Sequence, residues 1–593
     1  MTSGAGVPRM DIRRLITAMA LSMIVLIGFD YFMPKPQHPQ QDQATTQTSV
    51  SEPASTMRSA ADADTATNAD DKRIPITGPS VSGSLNLRGA RLDDLLLTRY
   101  HTTPKSDSPL VRVLDKATDP QPNFVQIGWR AIAGDATKLP DAGTLWEADG
   151  TALSPDHPLT LHWDNGQGQV FSIRLALDAR YMFTVTQSVA NHGTSSIRVL
   201  PALTVERNYV PEDVGSMLVH EGPVGVMNGR LEEQTYKAVH NNTNVSTGQA
   251  WAAQGNGGWA GITDKYWLTA IAPDHTAPVS ASFGFAADRG PGSYRVGFVP
   301  QAPVEISAGA EAGSTAHVFA GAKELNLLEQ YGNDLQITDF YKAVDFGWFG
   351  FATRPMFHLL HWLFLQFGNF GIALLAFTLI IKLVMFPLAT KTVKSSTRMR
   401  QLAPRVQAIR DRNKDNPVAA NQQVMALYRE EGVNMFGGCL PALVQIPVFF
   451  CLYKVLNVAI DMRHAPFFGW IRDLSAPDPT NLFNLFGLVP FDPSVYWAPL
   501  HLGIWPILFG GTTFLMQRMN MATMDPAQQR IMQFMPIIYV FFMGRLPAGI
   551  VIYYTWNNLL TAGQQLLIQK RVERAGTPAK TVVAPVKKPQ RKS

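Results

Sequence analysis

The chain has 593 residues, of which 46% are hydrophobic and only 16% charged, with 32 Phe, 12 Trp, 22 Met and a formal net charge of +5. Soluble domains are about a quarter charged, so this deficit argues against a purely soluble multidomain enzyme. Between residues 35 and 353 there are 23 Lys and Arg against 34 Asp and Glu, whereas the remainder carries 28 against 12. The basic excess therefore lies in the apolar half, a pattern that reads as membrane with anionic lipid contact before it reads as nucleic-acid binding. The two cysteines, Cys439 and Cys451, lie in one apolar segment. On a helix they would be roughly 18 Å apart, beyond disulfide reach, and no Cys-based zinc site is available.

Arg9, Arg13 and Arg14 precede an apolar run over 15–29, which ends in aromatic residues rather than a small-x-small cleavage site. Residues 1–34 read as an uncleaved signal anchor rather than a cleaved signal peptide, with the N-terminus in the cytoplasm. Residues 35–73, rich in Gln, Thr, Ser, Ala and Asp, read as a disordered linker. Over 74–335 short alternating runs, such as Phe171-Ser-Ile-Arg-Leu-Ala-Leu177 and Ser196-Ile-Arg-Val-Leu200, are separated by turns such as Asp164-Asn-Gly166. They predict a large extracytoplasmic β-sandwich. It contains no Walker loop, Gly-x-Gly-x-x-Gly, Gly-x-Ser-x-Gly or His-Glu-x-x-His motif. Asn241-Asn-Thr243 and Asn244-Val-Ser246 match glycosylation sequons, a pattern common by chance.

The region 336–369 carries a helical stripe of Met356, Leu359, Leu360, Leu363, Phe364 and Phe367 that is too short to span a bilayer, so it is expected to lie along the outer surface. His358 and His361 on it lack a visible third metal ligand. Five apolar segments follow, near 370–388, 438–460, 499–516, 531–546 and 549–568, giving six spans with the anchor. The 389–437 loop has nine Lys and Arg against four acids, the 461–497 loop two against four, and the tail 569–593 eight against one. The positive-inside rule puts the first and last of these in the cytoplasm and the middle one outside. Met399, Leu402, Val406 and Ile409, with Val424, Leu427 and Tyr428 opposite, predict a basic helical hairpin over 391–432 inside the 370–568 core.

Lys382 is the outstanding residue, because an ionisable group inside a span costs roughly 2.5 to 3.5 kcal/mol and usually faces a hydrated cavity or a partner. Snorkelling toward the cytoplasmic side is the alternative. Gln445, Thr512, Thr513, Gln533, Thr555, Asn557 and Asn558 on the other segments also need partners or water, and Tyr553 and Tyr554 add amphipathic surface. Together with prolines 387, 441, 447, 506 and 536 they suggest a loosely packed bundle with a polar hollow. No Ser-His or Ser-Lys arrangement points to an intramembrane protease, and no inverted repeat points to a secondary transporter.

Gly83-Ser-Leu-Asn-Leu-Arg-Gly-Ala-Arg-Leu-Asp-Asp94, Asn434-Met-Phe-Gly-Gly-Cys-Leu-Pro441, Gln445-Ile-Pro447, Ala465-Pro-Phe467, Asp473-Leu-Ser475, Asp525-Pro526 and Tyr553-Tyr554 resemble the YidC family of Gram-negative membrane protein insertases over nearly the whole chain. The resemblance implies a polytopic α-helical membrane core of six spans with a large periplasmic all-β supersandwich, in the inner membrane with both termini cytoplasmic. It implies a non-enzymatic insertase and chaperone without cofactor or metal, acting alone or with the Sec translocase. Its hydrophilic groove would be built from Lys382, Gln445, Thr512, Gln533, Tyr553 and Tyr554, and nascent membrane proteins would be its substrates. Ribosomes and targeting factors would meet the hairpin and basic tail, and anionic lipids would be further partners. Lys382 stands where the family usually has Arg, Met435 replaces the usual Pro, and the 482–496 loop is longer than expected. A lipid or small-solute transporter with a periplasmic sensor domain, and an anchored carbohydrate-binding module, are the competing readings.

Overall fold

The computed structural model describes residues 72–132, 135–211, 219–287, 292–413, 416–433, 440–487, 501–520 and 526–574. The expected anchor in 1–34, nearly all of the linker 35–73 and the tail from 575 onward lie outside the described residues, as does Cys439.

Two antiparallel sheets of ten and nine strands build the β-domain. In the larger one Ile197–Arg207 is hydrogen-bonded between Asn123–Arg130 and Ser293–Pro300; in the smaller one Glu311–Ala322 lies between Trp267–Pro273 and Met182–Asn191. The strand Gln169–Leu177 shows why: Gln169, Phe171, Ile173, Leu175 and Leu177 are buried and alternate with less buried Val170, Ser172, Arg174 and Ala176. That period-two pattern fits a strand with one face on a core. Register is held by pairs such as Phe171 with Val189 and Leu175 with Val185, and by Asp178, whose carboxylate accepts the N–H groups of Arg180 and Met182 in the turn. Trp129 of the larger sheet meets Phe171 of the smaller edge-on at 5.0 Å between ring centroids, the face-to-face packing of a sandwich.

Helix α1 (Tyr236–Asn242) and helix α2 (Leu325–Asp334) decorate the sandwich. The helices that follow are α3 (Gly350–Phe367), α4 (Phe370–Val384), α5 (Phe386–Arg412), α6 (Pro417–Glu430), α7 (Leu440–Val458), α8 (Ile504–Asn520), α9 (Pro526–Met543) and α10 (Ala548–Arg574). Helix α3 starts six residues before the expected stripe and stops at Gly368, whose φ of +67° is left-handed. Asn369 then caps α4, accepting from the N–H of Ile372. The apolar run 370–388 is not one straight helix: it breaks after Val384 and turns through 64° into α5. Pro387 explains the break, since it has no N–H to continue the ladder of α4 but fits the first turn of a new helix. Among the described residues no single helix is long and apolar enough to cross a membrane alone, while α4 and α5 together are.

Helix α10 packs against α4, α5, α7 and α8, and α9 packs on α8. Val406 of α5 meets Val424 and Leu427 of α6, with Ile409 and Tyr428 alongside, and Asn416 caps α6. One apolar core runs unbroken from the sheets through Phe340, Phe357 and Leu360 to Phe370 and Ile552.

Three cations fasten the β-domain to the helices. Arg354 of α3 pairs with Glu329 at 2.6 Å and lies 4.2 Å over the Tyr341 ring. Lys454 of α7 pairs with Asp345 at 2.8 Å. Arg463 donates to the carbonyl oxygens of His101 at 2.8 Å and Thr102 at 3.2 Å, and stacks over Trp267. Burial would raise the Asp345 carboxyl, but the Lys454 charge and the N–H groups of His220 and Gly347 outweigh it, leaving the group below its usual range.

Lys323, next to this junction, is 1% exposed. Its Nζ donates to Thr263 Oγ1 at 2.9 Å, with no carboxylate in ion-pair reach among the described residues. Burial lowers it from 10.5 to about 8, against the opposing attraction of Asp264, Asp345, Glu221 and Glu233. A lysine whose affinity for the proton is weaker in the fold than in the unfolded chain leaves the unfolded state holding more protons between pH 8 and 10.5, so stability rises with pH across that window. For Lys323 the full rise is about 3 kcal/mol. Urea unfolding of the full chain in detergent, followed by tryptophan fluorescence at pH 7.5 and 10, should therefore show Lys323→Met more stable than wild type at the lower pH and the gap closing at the higher. Parallel behaviour of the two proteins would refute the assignment.

Candidate functional site

Helix α10 carries the polar groups in two rows. Tyr553, Asn557 and Thr561 recur every four residues, which places them on one face, and Tyr554 and Asn558 form the adjacent row. The first row faces α4 and α7: Gln445 Nε2 of α7 donates to Tyr553 Oη at 3.0 Å, and Lys382 Nζ of α4 donates to Thr561 Oγ1 at 2.7 Å. Thr561 Oγ1 in turn donates a hydrogen bond to the Asn557 carbonyl oxygen at 2.6 Å. The second row faces α8, where Asn558 Nδ2 donates to Thr513 Oγ1 at 3.0 Å and Thr512 Oγ1 at 3.3 Å. Tyr554 is half-buried among aromatic rings, 5.5 Å from Phe449 and 6.1 Å from Phe509 between centroids.

Five of the six residues singled out from the sequence thus converge on α10: Lys382, Gln445, Tyr553, Tyr554 and Thr512. Gln533 does not join them; it is exposed on α9, with no hydrogen bond to the other five. Thr555 turns inward and donates to its own helix at the Val551 carbonyl. Lys382 has no carboxylate within ion-pair distance among the described residues. One acceptor for an ammonium with three donors leaves capacity for an incoming anion or carbonyl. The arrangement is a binding surface of hydroxyls, amides and one cation. Among the described residues no cluster of His, Cys, Asp or Glu could hold a metal, and His358 and His361 turn to different partners, Glu329 and Asp461.

Sequence reasoning missed Thr561 and Lys454. Thr561 lies inside the expected 549–568 segment, and only the four-residue spacing from Tyr553 and Asn557 marks it. Lys454 sits in the apolar run after Pro447 and carries the same signal as Lys382, an amine amid apolar residues; its partner Asp345 lies more than a hundred residues earlier, so no local pattern joins them.

A sequence model described as YidC periplasmic domain matches residues 73–359, and one described as 60Kd inner membrane protein matches 362–575. The chain is 48% identical to the membrane protein insertase YidC of Granulibacter bethesdensis over 573 residues, covering 95% of this chain and 98% of that one. It is also 48% identical to the same-named protein of Acidiphilium cryptum, covering 85% of each. A solved structure titled as an active YidC insertase with its first transmembrane domain resolved aligns over 83% of this chain and 92% of its own, at 17% identity and a TM-score of 0.36.

The Gln445 to Tyr553 bond ties α7 to α10 and is open to a double-mutant cycle. Gln445→Leu, Tyr553→Phe and the double variant, melted in detergent, should give a coupling of about 1 kcal/mol. Additive losses would mean that the two side chains do not meet.

Proposed function

The chain belongs to the YidC family of membrane protein insertases, and from that premise we propose that its helices receive the hydrophilic part of a nascent membrane protein in a polar groove headed by Lys382. It is an inner-membrane protein with a periplasmic domain that acts on nascent membrane proteins. The relatives, all named as insertases, lend no support to the transporter reading.

The observation that carries the groove is Lys382, an amine held by the Thr561 hydroxyl rather than by a carboxylate, beside the hydrogen-bonding rows of α10. A substrate's acidic end would supply the missing counter-ion. Entering a hydrated hollow shortens the low-dielectric path that this end has to cross, and the membrane potential adds about 2.3 kcal/mol per charge per 100 mV. The substrate's apolar segment then partitions into lipid. A surface for it exists: Phe534, Ile537, Ile538 and Phe542 form an exposed stripe on α9, and Ile446 is exposed on α7. In water such stripes would be buried, whereas in lipid they are solvated. No step forms or breaks a covalent bond, so the reading needs no catalytic residue.

Further parts of the proposal rest on sequence pattern. Six spans with both termini cytoplasmic follow from the distribution of Lys and Arg. The hairpin of α5 and α6 exposes Val418 and Met425 next to a basic surface, which suits ribosomes or targeting factors together with anionic lipid. Cooperation with the Sec translocase follows from the family alone.

In an insertase-depleted cell, Lys382→Arg should support insertion of a small, acidic-tailed substrate near the wild-type level, and Lys382→Ala should reduce it about tenfold or more, as loss of one charge-assisted contact allows. Normal insertion by the alanine variant would remove the charge from the mechanism. A photo-reactive residue at position 537 of α9 should cross-link a stalled nascent chain through its apolar segment. If the nascent chain cross-links only to residues inside the α10 rows, the apolar surface has no part in the process.

A further inference from the structure

A cavity of about 800 Å³ lies where the β-domain meets the first turns of α3. This is the size of a small-molecule site. Leu231 and Glu233 of the strand Arg230–Glu233 line one side, Tyr341, Lys342 and Asp345 another, and Phe351, Arg354 and His358 of α3 the third. Its groups are held in place before any ligand arrives. The Arg354 Nε is taken by Glu329 and its plane lies over the Tyr341 ring, which leaves the two terminal nitrogens without a partner among the described residues. Glu329 also engages His358 Nε2 at 3.2 Å, and Lys342 is fixed by Asp339 at 2.7 Å. Glu233, in contrast, has no ion pair or hydrogen bond among the described residues.

The cavity therefore offers an oriented guanidinium fork and an ammonium for an anion, and the unpartnered Glu233 carboxyl, which burial and then Asp345 push up to about 7 and whose ionised form an incoming cation would favour. From its mouth an apolar path leads along α3: Phe351 is 80% exposed, and Trp362 and Leu365 continue that side of the helix. A free solute would have no use for that path.

We propose that this cavity binds the headgroup of a phospholipid from the outer leaflet and that phosphoethanolamine fits it best, its phosphate on Arg354 and Lys342, its ammonium on Glu233 and its acyl chains along α3. The inference rests on the membrane placement of the core proposed above. Ethanolamine is favoured because its ammonium donates hydrogen bonds to a carboxylate. The quaternary nitrogen of choline donates none, and the glycerol of phosphatidylglycerol carries no positive charge. The bound lipid would fill the seam between the β-domain and α3 and fix the depth at which that helix lies.

The test uses the full chain in nanodiscs holding equal amounts of phosphatidylethanolamine, phosphatidylcholine and phosphatidylglycerol with the same acyl chains. Native mass spectrometry after release should find phosphatidylethanolamine retained about tenfold over either competitor, as one charge-assisted hydrogen bond allows. Glu233→Gln should erase the preference over phosphatidylcholine while some lipid remains bound, and Arg354→Gln should lower retention of all three. Arg354→Lys keeps the charge without the fork and should fall between. Lys342→Gln, which leaves the Arg354 to Glu329 pair of the junction in place, should also lower retention of all three, and an unchanged circular-dichroism spectrum certifies that each variant is folded. No preference in the wild type, or variants that retain lipid as it does, would overturn the proposal. So would soluble phosphoethanolamine binding as tightly as the lipid, which would make this a solute site. Quenching of Trp362 by brominated acyl chains separates the two levels of argument: with quenching but no preference the lipid site alone fails, and without quenching the membrane placement of α3 fails as well.

Discussion

A half-buried amine with no carboxylate in ion-pair reach among the described residues is the constraint around which the helical part is arranged. Removing an ammonium from water is costly, and proteins ordinarily offset that cost with an ion pair. Here Lys382 receives a threonine hydroxyl, itself tethered to the Asn557 carbonyl oxygen. The hydroxyl satisfies one donor and contributes no negative charge. The surrounding bundle has to supply polarity by other means, and it does so with two rows on α10 that engage α7 and α8. The central position of α10 in the packing follows, since it is the one helix that meets every polar side chain of the groove except Gln533.

The opposite end of the same bundle is built on the reverse principle. Where α7 approaches the β-domain, Lys454 has a full ion pair with Asp345, and Arg354 and Arg463 have carboxylate, carbonyl and aromatic partners. Lys454 and Gln445 are nine residues apart on one helix, roughly 13 Å. Helix α7 is thus anchored by a paired cation at one end and joined to the groove by a neutral hydrogen bond at the other. The apolar core that crosses the junction adds non-directional adhesion, and the three cations give it a defined register. A domain held in this way fixes α7 and α3, which border the proposed groove and the proposed lipid cavity respectively.

What could be read from the sequence divides along the range of the interaction. Alternation within Phe171 to Leu177 is local, and the strand is where the alternation lies. The faces of α5 and α6 are equally local, and Val406, Val424 and Leu427 do meet. The break at Met385 was hidden because hydropathy runs straight through Pro387, although the proline's missing N–H is a local signal that could have placed it. Lys323, Lys454 and Thr561 were passed over because the groups that give them meaning are Thr263, Asp345 and Lys382, each at least sixty residues distant in sequence. Gln533 shows the converse error: a polar residue in an apolar run looks inward until the phase of its helix is known, and α9 turns it outward with Phe534 beside it.

The presence of lysine rather than arginine at position 382 bears on how the proposed groove would work repeatedly. Arginine presents a rigid fork able to hold a carboxylate through two parallel bonds, whereas lysine offers a mobile point charge. A fork would bind the arriving acidic segment more tightly, but a groove that passes its substrate on gains nothing from an interaction that persists after the apolar segment has entered lipid. With a single hydroxyl partner, Lys382 can exchange that bond for a substrate carboxylate and recover it when the substrate leaves. In that proposal Thr561 would be the resting acceptor, its hydrogen bond to the amine weak enough to give up and specific enough to hold it toward α10. In the proposed mechanism the charge of Lys382 would recruit the substrate, while the mobility of its side chain and the neutrality of its resting partner would permit release.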